Sequence, residues 1–404
     1  MTDRKNKILD PQIPFLLAYN QDKLRRGFVL EKVLNIFCRS PKNQAFADTP
    51  SRILVIQSHL IGDVMMAIPF LRALRKRYPN AEITFLANDF ARGLLKGCDF
   101  IDVMLTAPFP WGIRSYHVKN LWKLVGMILY LRRQKFDLAI DAQIDFRNIF
   151  LMYLAGARRR LGYDIVGGRL FLTDIPEFPR DVVHLLEGRL SVLRYLGADI
   201  QDKTYRLPLS ADARQWLDLF WKGKGLLGRE VVAIHPGAST IEKLWRADRF
   251  VEVIRFLQKR QYVPVLIEGP QDTDVVEEIL GLLGGDILVL KSSLAHCMAF
   301  FSRCRLLICL DSAASHLASA VGTPAVVLYG PQWPFLAKPF DDHIVAVWNE
   351  NVDCRPCVYK KCQKPVHDCM EKISVQDVCL ALGQLLDKTA APFSHCSSDA
   401  SRRS

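Results

Sequence analysis

Arg52-Ile53-Leu54-Val55-Ile56-Gln57 is a short apolar run that opens into a loop containing Gly62, and an amphipathic stretch from about Val64 to Arg77 follows. A continuous apolar run of this length suits a strand of a parallel sheet, buried on both faces. Pro79-Asn80 stops the helix, and Ala81-Glu82-Ile83-Thr84-Phe85-Leu86-Ala87 reads as the next strand. Phe136 to Asp141 is a further strand, again with a helical stretch behind it. The rhythm restarts at Glu230-Val231-Val232-Ala233-Ile234-His235, which runs into Pro236-Gly237. A helix from about Ala247 to Lys259 leads to strands at Val263–Ile267, Ile287–Leu290, Leu306–Cys309 and Ala325–Tyr329. Strands alternating with helices predict a parallel sheet covered on both faces, and the restart predicts two of them. The expected architecture is α/β, with two doubly wound Rossmann-like domains facing a central cleft. Its boundaries are an N-terminal extension at 1–50, a first domain at 51–206, a linker at 207–228 and a second domain at 229–389. Residues 390–404 are Ser/Arg-rich and expected to be a disordered tail.

The 404 residues are half apolar, enough for two or three ordinary cores. Lys and Arg number 54 against 42 Asp and Glu, a net charge of +12. That balance fits phosphate-bearing ligands or an anionic surface, and no basic segment interleaved with aromatics resembles a nucleic-acid platform. No nucleic-acid partner is expected. No apolar run reaches the roughly 18 residues of a membrane span, and Lys123 interrupts the best candidate, around Leu121 to Leu131. The start, Met1-Thr2-Asp3-Arg4-Lys5, lacks the apolar core of a signal peptide, so a cytoplasmic location is expected. In the extension, Lys23 to Phe37 reads as an amphipathic helix, either packed on the body or touching a membrane.

Three segments fall where strands give way to helices, the ligand edge of an open α/β sheet. In Gln57-Ser58-His59-Leu60-Ile61-Gly62-Asp63-Val64, Asp63 either caps the helix or points into the cleft. No GxGxxG accompanies it, which weighs against a dinucleotide oxidoreductase. In His235-Pro236-Gly237-Ala238-Ser239 a small-residue loop leaves N–H groups available to phosphate, and Lys243 adds a point charge or is a solvated surface lysine. In Asp311-Ser312-Ala313-Ala314-Ser315-His316 a small-residue helix begins, and it ends at Gly322 with Pro324 beyond. Its orphan N–H groups and helix dipole suit an anion, and Ala313 and Ala314 admit close approach. The alternative is a capped core helix with a satisfied histidine.

Of the eleven cysteines, Cys354, Cys357, Cys362 and Cys369 are the organised group. Four thiolates can hold a structural zinc, although the spacing matches no standard finger; the other reading is free thiols.

Taken in order, these segments resemble glycosyltransferase family 9, the heptosyltransferases of lipopolysaccharide core assembly. The resemblance runs from about residue 52 to 385. It is carried by Ile61-Gly62-Asp63-Val64 with Pro69, Phe136–Asp141 with Ala142-Gln143, and Ala155-Gly156-Ala157-Arg158-Arg159-Arg160-Leu161-Gly162-Tyr163. His235–Ser239, Asp311-Ser312-Ala313 with His316, Gly322-Thr323-Pro324 and Gly330-Pro331 complete it, and the Cys stretch ending Cys369-Met370 is similar too. The resemblance implies a GT-B fold and an inverting, metal-independent transfer from an ADP-sugar, with no cofactor required. It implies Asp63 as general base, and Lys243, Ser239, Asp311, Ser312, Ala313 and His316 as donor contacts. The acceptor side then falls to Gln143 and Arg147, with Arg158–Arg160 as further candidates or plain surface cations. The implied partners are a nucleotide sugar and a lipopolysaccharide precursor, met at the cytoplasmic face of an inner membrane. Asp311-Ser312-Ala313 departs from the Asp-Thr-Gly of many members, and residues 1–50 precede the usual start. A nucleotide-sugar epimerase of the same fold and a non-catalytic sugar- or lipid-binding component are the competing readings.

Overall fold

The computed structural model describes residues 27–29, 31–32, 49–57, 60–106, 118–179, 181–355, 357 and 362–388. The first half contains β1 (Arg52–Ile56), α1 (Ile61–Arg77), β2 (Glu82–Ala87), α2 (Phe90–Leu94) and β3 (Val103–Thr106). It continues with α3 (Val118–Gln134), β4 (Leu138–Asp141), α4 (Phe146–Leu154), β5 (Arg159–Leu161) and α5 (Leu185–Tyr195). After α6 (Ala211–Gly223), the second half runs β6 (Val231–His235), α7 (Ala247–Lys259), β7 (Val263–Glu268), α8 (Thr273–Leu283) and β8 (Leu288–Lys291). Then come α9 (Leu294–Arg303), β9 (Leu306–Leu310), α10 (Ala313–Val321), β10 (Ala325–Leu328) and α11 (Pro334–Ala337). The last elements are β11 (Ile344–Val347), α12 (Asp368–Glu371) and α13 (Val375–Lys388).

Each half is one parallel sheet, ordered β3-β2-β1-β4-β5 and β11-β10-β9-β6-β7-β8. The two-domain α/β architecture expected from the sequence is therefore present. The strand order reverses between β1 and β4 in the first sheet and between β6 and β9 in the second. Crevices at the carboxyl ends of strands open at such reversals. The loops leaving β1, β4, β6 and β9 are the ones that carried the motifs.

The β1 run packs on both faces because four of its five residues are buried. Helix α1 is also buried nearly all round, with Val64 to Leu71 all inside. A helix apolar on every side needs cover on every side, and here α10 of the second half supplies it. One apolar core consequently runs from the first sheet through the α1–α10 contact to one face of the second. A separate core fills the other face, under α7, α8 and α13.

Helix α1 starts at Ile61, three residues before the point expected, so Asp63 sits inside the first turn and Leu60 holds the N-cap position. The stretch 207–228 carries α6, whose Trp221 packs on Phe300 with ring centroids 5.3 Å apart. Strand β5 holds two residues of the arginine run at 158–160. Its Arg159 pairs with Asp174 at 2.7 Å, and buried Arg160 donates to the Phe171 carbonyl at 2.5 Å. Both are committed to the fold rather than to a ligand.

Of the N-terminal extension, residues 27–29 and 31–32 are helical. They dock on the first half, where the Glu31 carboxylate accepts from the N–H groups of Gly168 and Leu170 at 3.1 and 2.9 Å. The remainder of the helix expected at 23–37, and the tail at 390–404, lie outside the described residues. Among the described residues no helix is long and apolar enough to cross a membrane.

Candidate active site

Asp63 faces the junction of the two halves from the first turn of α1. Its Oδ2 accepts from the Leu60 N–H at 3.2 Å, half of a capping box. Its Oδ1 accepts from Arg189 Nη2 at 2.5 Å, and the same guanidinium reaches the Asp63 carbonyl at 3.3 Å. Arg189 comes from α5 and its side chain is only 3% exposed, against 18% for Asp63. A charge-assisted, mostly buried pair of this kind fixes the carboxylate in position. No sequence motif marked Arg189; its role appears only when α5 folds back beside α1.

The β4–α4 loop completes the first reversal. Asp141 is buried and accepts from the N–H groups of Gln143 and Asp145 at 3.0 and 2.7 Å, and from Asn148 Nδ2 at 3.0 Å. Burial pushes its carboxyl up to about 6, with those three donors pulling the other way. Asp141 therefore shapes the loop. Gln143 is buried within it, and Arg147 lies against Asp145, Nη2 to Oδ2 at 2.6 Å. Gln57, at the end of β1, is fully buried with neither amide atom hydrogen-bonded among the described residues. An unpaired buried amide is costly and rare.

At the second reversal, Lys243 lies in the short turn after β6 and donates to Asp311 Oδ2 at 2.6 Å and to the Asp311 carbonyl at 3.2 Å. The motifs that follow β6 and β9 thus meet. Ser312 occupies the N-cap of α10 but makes no capping hydrogen bond. Its hydroxyl instead lies 3.4 Å from His235 Nδ1, and His235 Nε2 meets Asp272 Oδ2 at 3.1 Å. The Ser315 N–H donates to the Ser312 carbonyl at 3.3 Å, which leaves the N–H groups of Ala313 and Ala314 for another acceptor at the positive end of the helix dipole. Burial alone would raise the Asp272 carboxyl, but His235 and the Gly269 N–H outweigh it and hold it below its ordinary value. Gly237 and Gly269 close around that carboxylate so tightly that an added Cβ would lie 2.0 and 2.5 Å from it. Ser239 is exposed on the same loop.

His316 joins the halves. A Cβ on Gly62 would lie 3.1 Å from its ring, and the Tyr205 ring is 5.5 Å away. Burial pushes its imidazole down to about 4, so it stays neutral, and its Nδ1 has no partner among the described residues. The contact brings the start of α1 against the start of α10, so Asp63 and the uncapped helix end share one junction.

Cys354, Cys357, Cys362 and Cys369 line one small cavity with His367 and Arg355. Among the described residues no three His, Cys, Asp or Glu side chains are grouped to hold a metal ion. Burial pushes the Cys369 thiol up to about 11. An open concavity of about 890 Å³ lies by Arg229, Gln261 and Asp286 at the opposite, amino-terminal edge of β6–β8. It is remote from every group described above.

Residues 127–367 match the model of glycosyltransferase family 9 (heptosyltransferase). The chain belongs to glycosyltransferase family 9. It is 24% identical over 317 residues to the lipopolysaccharide core heptosyltransferase OpsX of Haemophilus influenzae, spanning 76% of this chain and 87% of that protein. The fold is that of a family 9 glycosyl transferase from Veillonella parvula, at a TM-score of 0.73 and 23% identity, covering 85% of this chain and 100% of the other. The Escherichia coli ADP-heptose lps heptosyltransferase II superposes at a TM-score of 0.69 and 21% identity, over 84% and 100% of the two chains. Glycosyltransferase activity is the coarse function that goes with membership, and the two-sheet fold is that of these solved relatives.

Proposed function

We propose that this chain transfers a heptose, or a closely related sugar, from an ADP-sugar to a lipopolysaccharide core acceptor, with inversion and without a catalytic metal. The supporting observation is the junction itself, where the Asp63 carboxylate and the uncapped start of α10 with Lys243 approach from opposite halves. Asp63 takes the proton of the acceptor hydroxyl as its oxygen attacks the anomeric carbon. The bond to the diphosphate breaks on the far face, and its electron pair leaves with ADP. The growing negative charge falls to Lys243, freed from Asp311, and to the α10 amides, which need no reorganisation. Ser312, Ala313 and His316 line the donor side, and the β4–α4 loop with Gln143 and Arg147 lines the acceptor side. The names of the Haemophilus and Escherichia relatives supply the lipopolysaccharide acceptor and the ADP-heptose donor of this reading. The proposed place of work is the cytoplasmic face of the membrane that carries the precursor.

The test is turnover. The purified protein is incubated with ADP-heptose and a truncated lipopolysaccharide precursor, and the lipid product is weighed by mass spectrometry. A heptose added to the acceptor is the expected result. ADP-heptose consumed to an isomer in the absence of any acceptor sinks the transfer reading in favour of an epimerase. Nucleotide bound with no turnover on any precursor leaves only a binding protein.

A further inference from the structure

Helix α3 carries a surface that the transfer chemistry does not use. Trp122, Val125, Leu129 and Tyr130 are 71, 38, 52 and 44% exposed, whereas Leu131 is fully buried on the opposite side and Met127 and Ile128 pack on the core. Every other large apolar side chain exposed among the described residues stands at most one to a helix. Trp122, Leu129 and Arg133 fall in one line along α3 at helical spacing, with Val125 and Arg132 on one flank and Lys123 and Tyr130 on the other. The whole helix, Val118–Gln134, contains no Asp or Glu. Lys123, Arg132 and Arg133 are exposed, and none has a carboxylate partner among the described residues. Single exposed apolar residues need no explanation, but four on one helix face, set among unopposed cations, do.

We propose that this face of α3 docks the protein on an anionic phospholipid bilayer, lying in the headgroup plane without crossing it. The charge argues for that occupant. A second copy of α3 would bring three exposed cations against three, whereas phosphate headgroups neutralise them while the acyl boundary takes the apolar line. The line from Trp122 to Arg133 is about 16 Å long, at roughly 1.5 Å per residue, enough to make a multivalent contact. The topology gives the docking a direction. Helix α3 runs antiparallel to β3 and β4, so its Trp122 end lies at the carboxyl edge of the first sheet, the edge that bears Asp63 and the β4–α4 loop. A bilayer against α3 therefore meets the acceptor side of the junction. The surface is read from α3 alone and stands whether or not heptose is the sugar moved.

The experiment is co-sedimentation of the full chain with phosphatidylcholine vesicles, with and without phosphatidylglycerol, at low and high salt. Wild type is expected to partition onto the anionic vesicles, weakly onto the neutral ones, and to come off with salt. Arg132→Gln with Arg133→Gln lowers the partition coefficient roughly thirtyfold at low salt. Trp122→Ser with Leu129→Ser lowers it at least tenfold at either salt, while Leu219→Ser, an exposed site on α6, leaves it unchanged. All variants should melt with wild type, because the altered side chains are exposed. The proposal is overturned if wild type ignores anionic vesicles, or if the Trp122/Leu129 variant binds them as wild type does. It is equally overturned if that variant's only effect is to convert a dimer to a monomer on size exclusion, since the face is then a contact between copies.

Discussion

The two strand-order reversals are built on the same topology and carry opposite electrostatics. At the first, carboxylates are gathered and held: Asp63 by Arg189 and the Leu60 N–H, Asp141 by two backbone amides and Asn148. At the second, the donors of hydrogen bonds are left available: Lys243 is held by one aspartate, and the N-cap serine of α10 turns to His235 instead of its own helix. A parallel sheet thus dictates where a ligand sits but not its charge, which is set by the few residues beyond each strand. In the transfer proposed above, the first reversal takes a proton and the second holds an anion. Inverting transfer to a hydroxyl needs one of each.

Removing the proton acceptor tests this contrast most severely. Asp63→Asn keeps the size and the Leu60 contact but cannot take a proton, and turnover should fall by about 10²–10⁴. Nucleotide affinity by calorimetry should stay near wild type, because the donor side is untouched. Turnover within a few-fold of wild type sinks Asp63 as the base.

Arg189→Met comes next. Breaking a buried pair while leaving the carboxylate in place costs roughly 3–5 kcal/mol, which denaturant unfolding measures. In protein that still folds, the acid limb of the rate–pH profile should move to higher pH, because a proton competes better for a carboxylate that has lost its cation. Arg189→Lys should restore part of that limb. A role in packing alone predicts lost stability with an unmoved pH profile, and that outcome reduces Arg189 to a structural residue.

On the anion side, Lys243→Met should raise the donor KM about tenfold or more, in line with roughly 1.5–3 kcal/mol for a hydrogen bond to a charged group. The acceptor KM should hardly change, since Lys243 lies after β6 and the acceptor loop after β4. Equal changes in both constants erase the division between the two reversals.

Much of this was legible in the sequence because it is local. Apolar runs such as Arg52–Gln57 and Glu230–His235 become β1 and β6 nearly as read, since a strand buried on both faces declares itself by composition alone. The loops after them carry the motifs because topology puts them at the reversals. What stayed hidden depends on chain that returns from far away. Arg189 lies 126 residues from Asp63, and nothing in its surroundings on α5 distinguishes it from Arg194, which pairs with Glu187. The charge of the arginines at 158–160 suits a ligand, and only the folded chain shows each one occupied, Arg158 by Asp137, Arg159 by Asp174 and Arg160 by the Phe171 carbonyl. The edge strands β3 and β11, only partly buried, are not apparent in the sequence. The start of α1 was set three residues late because Leu60 is a poor cap by side chain. There the Asp63 carboxylate, reaching back to the N–H of Leu60, does the capping.

The smallest expected effect concerns the seam that keeps the reversals opposed. His184 caps α5 by accepting from the Leu186 N–H at 3.1 Å on Nδ1, while its Nε2–H donates 2.9 Å to the Lys338 carbonyl of the second half. Burial pushes its imidazole down to about 4, with Glu187 opposing and Arg189 and Lys338 adding to the shift. His316, on the other side of the seam, is lowered similarly. A base whose folded value is depressed gives stability that is fully present above its unfolded value of about 6.5 and is lost as pH falls toward about 4. The melting temperature should therefore decline between pH 6.5 and 4, less steeply than the two imidazoles alone would give, because Asp141, raised to about 6, takes up its proton in the same window and opposes them. His184→Asn keeps a good helix cap but cannot reach Lys338, so it should cost about 1 kcal/mol at pH 7.5. Because Asn does not titrate, the deficit should shrink as the pH is lowered, vanish at about pH 6 and reverse below it. Parallel pH dependence in wild type and variant would place the titration elsewhere and leave His316 as the group that senses acid at the seam.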